Sequence, residues 1–247
     1  TTSSAGNRKT WTLSCWLKRG NLSSGYFFHT WVNDTYRSSF VIDGSNKVQF
    51  YEGPNKIETR TPSVLTDPSI WYHVVYVFDT TNGTAADRFK IYGNNSQQSL
   101  SIISGSTLAS NLDGSTNTSG TKYTVGRSHH STSPGAYFDG YVAEAHFIDG
   151  QALTPSSFGD TVDSEWKPIR YSGSYGTNGF YLDFADSGDL GDDESGNGND
   201  FAETNLAASD QVIDSPLNSF CTLDPTDTAG SETWHEGNLK WYSSGSN

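Results

Sequence analysis

The run of residues 136–158, AYFDGYVAEAHFIDGQALTPSSF, constrains the fold of this chain more than any other stretch. Its central residues fall into two alternating sets, one with Tyr141, Ala143, Ala145 and Phe147, the other with Val142, Glu144, His146 and Ile148. A period of two predicts a long β-strand whose two faces differ. A β-bulge within 141–145 would exchange the two faces, and that alternative stays open. Thr154 and Pro155 then predict a helical turn with a hydroxyl cap.

Strand signals recur along the rest of the chain, whereas a helix-period stretch of similar length is not found. Run 70–79, IWYHVVYVFD, is apolar on both faces and predicts a central strand that is covered on both sides. The pattern predicts an all-β fold, a two-sheet antiparallel jelly-roll sandwich with a C-terminal extended segment. The predicted strands are 10–19, 26–32, 36–43, 47–52, 70–79, 88–92, 123–126, 137–149 and 180–184.

The texture of the chain changes after Gly159, which suggests how the domains are arranged. We assign residues 1–204 to the sandwich, with 160–179 as a loop. Residues 205–235 are polar and predict an extended segment, packed along the sandwich or serving as a linker. Residues 236–247 resemble the incomplete start of a following β domain. The absence of methionine is consistent with a piece of a longer or processed chain.

Charge and cysteine content exclude several classes of protein. The net charge of −13 argues against nucleic-acid binding, which needs a basic stripe. No long apolar segment is present, so membrane insertion is not expected. Cys15 lies in a strand-like run and Cys221 in a polar one, and we predict two unpaired thiols, with Cys15 buried.

Five blocks of sequence resemble a known family. They are residues 11–20, 71–94, 137–159, 176–184 and 193–201. In this order they resemble the laminin-G-like and pentraxin-like branch of the concanavalin-A-like sandwiches. More narrowly, they are similar to a sandwich module of marine tailed-phage structural proteins. The resemblance implies a viral structural protein on the virion surface or tail fibre, outside the cell, with adhesion or glycan recognition as its activity. It also implies a homo-oligomer.

Two groups of residues are candidates for glycan binding, because sugar rings stack on aromatic faces while polar groups hold their hydroxyls. One group is predicted at a hairpin tip and contains Trp31, Asn33, Asp34, Tyr36 and Arg37. The other is Glu144 with His146, two residues apart on the long strand. Each group has a structural alternative: most tryptophans of a sandwich belong to its core, and Glu144 with His146 also fits a cross-strand polar pair on a solvated face.

Catalytic residues are not predicted. Glycan-cleaving enzymes need two carboxylates within about 5–10 Å, which on one strand face means acidic residues at i and i+2 or i+4. Glu144 is followed two residues later by His146, and Asp149 has the opposite parity. We therefore predict a protein that is not an enzyme.

Residues 193–200, DESGNGND, are a candidate calcium loop. Oxygen ligands from Asp193, Ser195, Asn197 and Asp200 would surround the ion. Thr204 stands at the twelfth position, where a complete EF-hand loop has glutamate. An Asn/Gly turn without an ion is the alternative, and no other cofactor is expected.

The sequence thus predicts a non-enzymatic virion-surface or fibre module that mediates adhesion by binding cell-surface glycan. The alternative is a purely structural or decoration module that packs on other virion proteins. A glycan-cleaving depolymerase is the third hypothesis. The expected partners are glycan or other virion proteins and further copies of the chain, with no nucleic acid and no membrane insertion.

Overall fold

Strands make up nearly all the regular structure of the chain. The computed structural model describes residues 1–53, 57–129, 135–219, 232–235 and 240–243. Within these ranges the helical residues form three 3₁₀ turns, Ala85–Asp87, Pro155–Ser157 and Ala208–Asp210. The described residues include no helix with the length and apolar character required to cross a membrane. The strands are β1 (Thr10–Arg19), β2 (Gly25–Trp31), β3 (Arg37–Ile42), β4 (Lys47–Gly53), β5 (Ile57–Val64), β6 (Tyr72–Asp79), β7 (Phe89–Gly93), β8 (Ser96–Gln97), β9 (Ser101–Ser104), β10 (Lys122–Val125), β11 (Gly140–Asp149), β12 (Gly159–Val162), β13 (Glu165–Pro168), β14 (Phe180–Leu182), β15 (Glu232–His235) and β16 (Lys240–Ser243).

Two six-stranded antiparallel sheets form the sandwich. Sheet A has the order β14-β11-β1-β6-β7-β8, and sheet B has the order β10-β2-β3-β4-β5-β9. The predicted all-β, two-sheet architecture is confirmed. Strand β6 lies between β1 and β7, and its residues from Tyr72 to Phe78 are all buried, as the apolar run predicted.

Aromatic side chains fill the space between the sheets. The ring of Trp11 from sheet A stacks on Phe78 at 5.0 Å and meets Phe40 and Phe50 of sheet B at 5.8 and 6.1 Å. Such ring pairs add to the free energy gained by burying their large apolar surfaces. Cys15 lies in the same core as a free thiol, and its burial raises its pKa. Cys221 lies outside the described residues.

Two predictions of local structure were wrong. Strand β5 was missed because its inward positions alternate Ile57 with Thr59 and Thr61, so it carries little hydrophobic periodicity. The predicted loop 160–179 contains the hairpin β12–β13. Its turn places Asp163 and Ser164 at φ 53° and 68°, a conformation usually marked by Asn-Gly.

The helical turn after β11 is present as predicted, but its cap differs. The turn Pro155–Ser157 follows Thr154, whose side chain makes no capping hydrogen bond. Its hydroxyl instead lies 2.9 Å from that of Ser156. Because the turn is a single 3₁₀ turn, it has few free backbone N–H groups for a cap to satisfy.

The chain after β11 covers the outer face of sheet A. A second hydrophobic cluster forms there between strands β6, β11 and β14 and the chain that follows β11. Its buried members are Val75, Val77, Ile148, Phe158, Tyr175 and Tyr181. Further along, the Asp214 carboxylate accepts hydrogen bonds from Lys18 Nζ at 2.7 Å and Trp71 Nε1 at 3.0 Å. The predicted extended segment therefore contacts the sandwich at this point.

The domain boundaries at 204 and 235 remain predictions. Residues 236–239 of the predicted following domain lie outside the described residues. Strand β16 pairs antiparallel with β15 next to them.

Candidate functional site

The two outer faces of the sandwich differ in what covers them. On sheet A, Thr12, Ser14 and Lys18 point away from the core and are nevertheless fully buried, because the later chain packs over them. On sheet B, the described residues form no second hydrophobic cluster over the outer face. The outer face of sheet B keeps Lys122 exposed and Trp31, Arg37, Gln49 and Tyr51 half-buried, and we call this surface the open face. His29 and Ser39 also point to this side but are buried.

Strand register defines the open face residue by residue. Phe40 and Phe50 point into the core, so their sequence neighbours point outward. On β2 a register shift leaves both Phe27 and Phe28 in the core, and its outward residues follow from the pairing with β3. Cross-strand pairs then give three rows of outward side chains, which are Lys122, Trp31 and Arg37; Thr124, His29, Ser39, Tyr51 and Glu58; and Val41, Gln49 and Arg60.

Trp31 lies at the centre of the first row. The Lys122 ammonium lies over its ring at 5.4 Å, and the His129 ring meets it edge-on at 4.9 Å. Its indole N–H donates to the Asp34 carboxylate at 3.4 Å. The ring is half-buried, so it belongs to the surface and not to the core.

Arg37 links the first row to the second. Its guanidinium carbon lies over the Tyr51 ring at 5.2 Å, and its Nη1 donates to the Asp34 carbonyl at 3.1 Å. Planar stacking and a hydrogen bond together restrict the orientation of the guanidinium group.

The turn between β2 and β3 uses part of the predicted site for its own structure. The Asn33 side-chain oxygen accepts the N–H groups of Thr35 and Tyr36, both at 3.0 Å. Tyr36 itself is 39% exposed. The structure thus brings Trp31, Asp34 and Arg37 together and leaves Asn33 to hold the turn. Their role in binding stays a prediction.

Glu144 and His146 project to the same side of sheet A, as predicted, but that face is covered, so the expected solvated or ligand-facing pair is not present. Ser14 pairs with His146 and Trp16 with Ala143, so β11 carries one residue more than β1 between these pairs. Glu144 has φ 50°, and this bulge reverses the face assignment of the residues before it: Val142 packs toward the core, whereas Ala145 and Phe147 keep their predicted inward faces. The open alternative of a bulge is the one observed.

His146 is buried beneath the covering layer and does not face a ligand from solvent. Its ring stacks on Tyr181 at 4.2 Å, and its Nδ1 lies 3.0 Å from the Tyr175 hydroxyl. Burial lowers the pKa of His146 to about 3, so the ring is neutral.

Glu144 is partly buried on the same side of sheet A. It accepts a hydrogen bond from the Tyr181 hydroxyl at 2.6 Å. Burial raises the pKa of Glu144, and the nearby charge of Asp183 raises it further. The residue is thus a structural acceptor that retains more of its proton than an exposed carboxyl does.

The predicted calcium loop is closed by its own hydrogen bonds. The Asp193 carboxylate accepts the N–H groups of Tyr181, Ser195 and Asn199 together with the Ser195 hydroxyl. Asp200 accepts the N–H of Asp193. The Asn197 side-chain amide donates to two carbonyls. The described residues hold no cluster of three acidic, histidine or cysteine side chains suited to a metal. The calcium loop and its alternative, an Asn/Gly turn without an ion, both stay predictions.

A groove that the sequence did not predict opens at the edge where β10 and β11 meet the later chain. Its volume is about 730 Å³, and its lining includes Arg127, Tyr137, Phe184 and Gln211. Phe184 has φ 58°, and the Gln211 amide holds this strained backbone by donating to the carbonyls of Phe184 and Ala185. These residues come from four distant segments, so no local pattern marks them.

The fold and the open face together define a β-sandwich module of the jelly-roll class. The chain belongs to the Concanavalin A-like lectin/glucanases superfamily, because the laminin-G-type family model matches residues 1–157. This match covers more than half of the chain and confirms the laminin-G-like and concanavalin-A-like resemblance. No curated protein matches the chain.

Solved structures share the architecture at low sequence identity. A candidate carbohydrate-binding protein from Bacteroides ovatus ATCC 8483 matches with TM-score 0.50 and 16% identity over 72% of this chain and 46% of that one. A heptameric SAP-like pentraxin from Limulus polyphemus matches with TM-score 0.46 and 15% identity, over 62% and 69%. The CBM40 of Ruminococcus gnavus IT-sialidase bound to α2,3-sialyllactose gives 0.44 and 12%, over 63% and 92%. At such identities the likeness shows the fold alone. This chain spans less than half of the Bacteroides protein.

Proposed function

We propose that this chain is a carbohydrate-binding module that holds glycan on the open face and does not cleave it. One observation carries the proposal: the later chain covers the outer face of sheet A, whereas the outer face of sheet B keeps Trp31 and Tyr51 at the surface among polar side chains. Membership of a superfamily described by lectins and glucanases supports a sugar as the ligand.

The chemistry of the open face suits a sugar. Pyranose rings offer C–H faces that pack on aromatic rings, and hydroxyls that pair with amide, hydroxyl and charged groups. Tyr51 provides the ring surface, while the half-buried polar side chains Gln49 and Arg60 lie in the next row. Such sites are shallow, so we expect a weak single-site affinity. Repeated copies on one particle would raise the avidity about 10²–10⁴-fold.

A glycan array with two matched variants tests the site. We expect Trp31→Ala and Tyr51→Ala each to weaken binding of the array's best ligand at least tenfold, because each removes a stacking surface. Tyr137→Ala removes an aromatic of the groove, where Tyr137 is 59% exposed, and should leave that affinity within twofold. Thermal unfolding of each variant controls for folding.

The array also separates binding from scaffolding. Loss of binding in Tyr137→Ala alone would move the site to the groove and contradict the open-face proposal. An array without any ligand would favour the structural or decoration alternative, with the groove as the surface that packs on other proteins.

The setting that we propose is the surface or fibre of a virion, where the module mediates adhesion as a homo-oligomer. This part rests on the five resembling sequence blocks. An antibody against the chain should label intact particles of the virus that encodes it and should inhibit their attachment to cells. Sedimentation equilibrium should give a mass above that of one chain. A chain missing from purified particles would overturn this setting while leaving glycan binding intact.

A second candidate function, glycan hydrolysis, is favoured by one observation. Burial raises the pKa of Glu144 and the charge of Asp183 contributes to the rise, and a protonated acid with a second carboxylate in its surroundings is the pairing that glycosidases use. Incubation with the array's best ligand, followed by a reducing-end assay, distinguishes the candidates. We expect no release. Release that is abolished by Glu144→Gln and by Asp183→Asn would establish the hydrolase.

A further inference from the structure

Two cations flank the central tryptophan of the open face. Lys122 and Arg37 are the direct cross-strand partners of Trp31, one on each side, so the three side chains form a single row. Lys122 is exposed and Arg37 is half-buried. Both positive groups therefore lie where a ligand on this face would approach.

Neither cation has a carboxylate within 4.0 Å among the residues that the structure describes. In the part of the chain that the structure describes, the cations with a carboxylate within 4.0 Å are Lys18, Arg60, Lys90, Lys167 and Arg170. Lys122 and Arg37 are not among them. The whole chain has 28 acidic residues and 15 lysines and arginines, so carboxylates are abundant for pairing. Most of the described lysines and arginines nevertheless lack a carboxylate within 4.0 Å. What distinguishes Lys122 and Arg37 is their place on either side of Trp31.

The acidic groups of the open face have partners of their own. Glu58 accepts a hydrogen bond from Gln49, Asp43 pairs with Arg60 at 3.6 Å, and Asp34 accepts the Trp31 indole N–H. Asp34 meets Arg37 through its backbone carbonyl at 3.1 Å and forms no ion pair with it within 4.0 Å.

The two cations also change how a ligand can contact the aromatic rings of the open face. Lys122 lies over Trp31 and Arg37 over Tyr51, so each ring has a positive group in front of it. A cation that lies over a ring is held in place while its N–H donors stay available for a ligand. Arg37 uses one of its five N–H donors to bind the Asp34 carbonyl. A neutral sugar must displace these groups to stack, whereas an anionic sugar can pair with them.

We infer that the open face binds an acidic glycan, one whose sugars carry carboxylate or sulfate groups. This inference rests on the proposed function and names the ligand class of the same site. Arg37 and Lys122 contact the anion, and the Tyr51 and Trp31 rings hold these two cations in place. At about 0.15 M salt the Debye length is about 8 Å, so the local cations act while the distant net charge of −13 is screened.

The test compares ligands that differ in charge alone, at 0.15 M salt. Polygalacturonate and its fully methyl-esterified form share one sugar backbone, and chondroitin sulfate with its desulfated form separates sulfate from carboxylate. We expect binding to polygalacturonate or chondroitin sulfate, with at least tenfold weaker binding to the matched form that lacks the recognised anion. Arg37→Gln and Lys122→Gln should each reduce the affinity for the acidic polymer about tenfold, the range of one charge-assisted hydrogen bond. The matched control Arg127→Gln removes a charge from the groove and should change it less than twofold.

The possible outcomes distinguish failure of the acidic-glycan inference from failure of the proposed carbohydrate-binding function. Equal binding of charged and neutral forms that depends on Trp31 would overturn the acidic-glycan inference and keep the carbohydrate-binding function. Binding of a DNA duplex as tight as that of the acidic polymers would also overturn it, since any polyanion would then suffice. Absence of binding to these polymers and to a full glycan array would overturn both.

Discussion

Lys18→Met is expected to destabilise the protein by about 3–5 kcal/mol, the usual cost of leaving a buried charge without its partner. The Lys18 ammonium and the Asp214 carboxylate lie 2.7 Å apart and are both fully buried. Removing the lysine leaves Asp214 charged beneath the covering layer, with the Trp71 indole among its remaining donors. Urea unfolding monitored by tryptophan fluorescence gives the change in unfolding free energy.

The double variant Lys18→Met with Asp214→Asn should recover most of that loss. Asparagine is neutral and can still accept the Trp71 N–H, so the buried charge disappears while a hydrogen bond is kept. Lys90→Met is the matched surface control, because its partner Asp87 is 41% exposed, and it should cost at most about 1 kcal/mol. A Lys18→Met protein as stable as the Lys90→Met protein would contradict the buried pair.

Acid should unfold this protein through two buried histidines. Burial lowers the pKa values of His73 and His146 to about 3, against about 6.5 in the unfolded chain. Between pH 6.5 and 3 the two histidines are therefore protonated in the unfolded state and neutral in the folded state. The free energy of unfolding decreases as the pH falls through this range. Each histidine contributes a slope of about 1.4 kcal/mol per pH unit across that window.

Glu52 opposes the histidines over part of this range. Burial raises its pKa to about 7, although Ser38 and the Ser115 N–H donate to its carboxylate. The folded state then binds the proton first, so its contribution to stability is complete below about pH 4.5 and declines toward pH 7. We expect a shallow loss of stability between pH 6.5 and 4.5 and a steep loss below it.

Two variants separate these contributions in urea unfolding at a series of pH values. Glu52→Gln should make the loss steep from pH 6.5 onward, because the offset is gone. His146→Phe keeps a ring beside Tyr181 and should lower the slope below pH 4.5 by about 1.4 kcal/mol per unit. Unchanged slopes in both variants would show that other groups control the acid response.

Wherever apolar residues alternate, the local sequence pattern was sufficient to predict the strands and which of their residues point inward. Strand β1 was predicted at its observed bounds, and its inward residues Trp11, Leu13, Cys15 and Leu17 all lie in the core. It failed at β5, whose inward threonines carry no hydrophobic signal. It also failed at β12–β13, whose turn lacks glycine.

The candidate site was predictable only in part. Trp31 and Arg37 were found because they flank a turn, and the strand register then places them side by side. Tyr51, Lys122 and Gln49 were missed, since they reach the open face from β4 and β10, which are remote in sequence. His146 was placed on the correct face of β11, but the chain that follows β11 covers this face and buries the ring, which the strand's own sequence does not indicate. The bulge at Glu144 reverses the parity only of the residues that precede it.

The amino-acid sequence alone determined that this protein is a two-sheet β-sandwich, because the period-two alternation of apolar residues is a local property of each strand. Only the tertiary structure decided which outer face is open and which is covered. That depends on residues such as Phe158, Tyr175 and Asp214 folding back over strands far away in the chain. Burial of a strand's second face arises from these long-range contacts, and the strand's own sequence cannot distinguish a covered polar face from a solvated one.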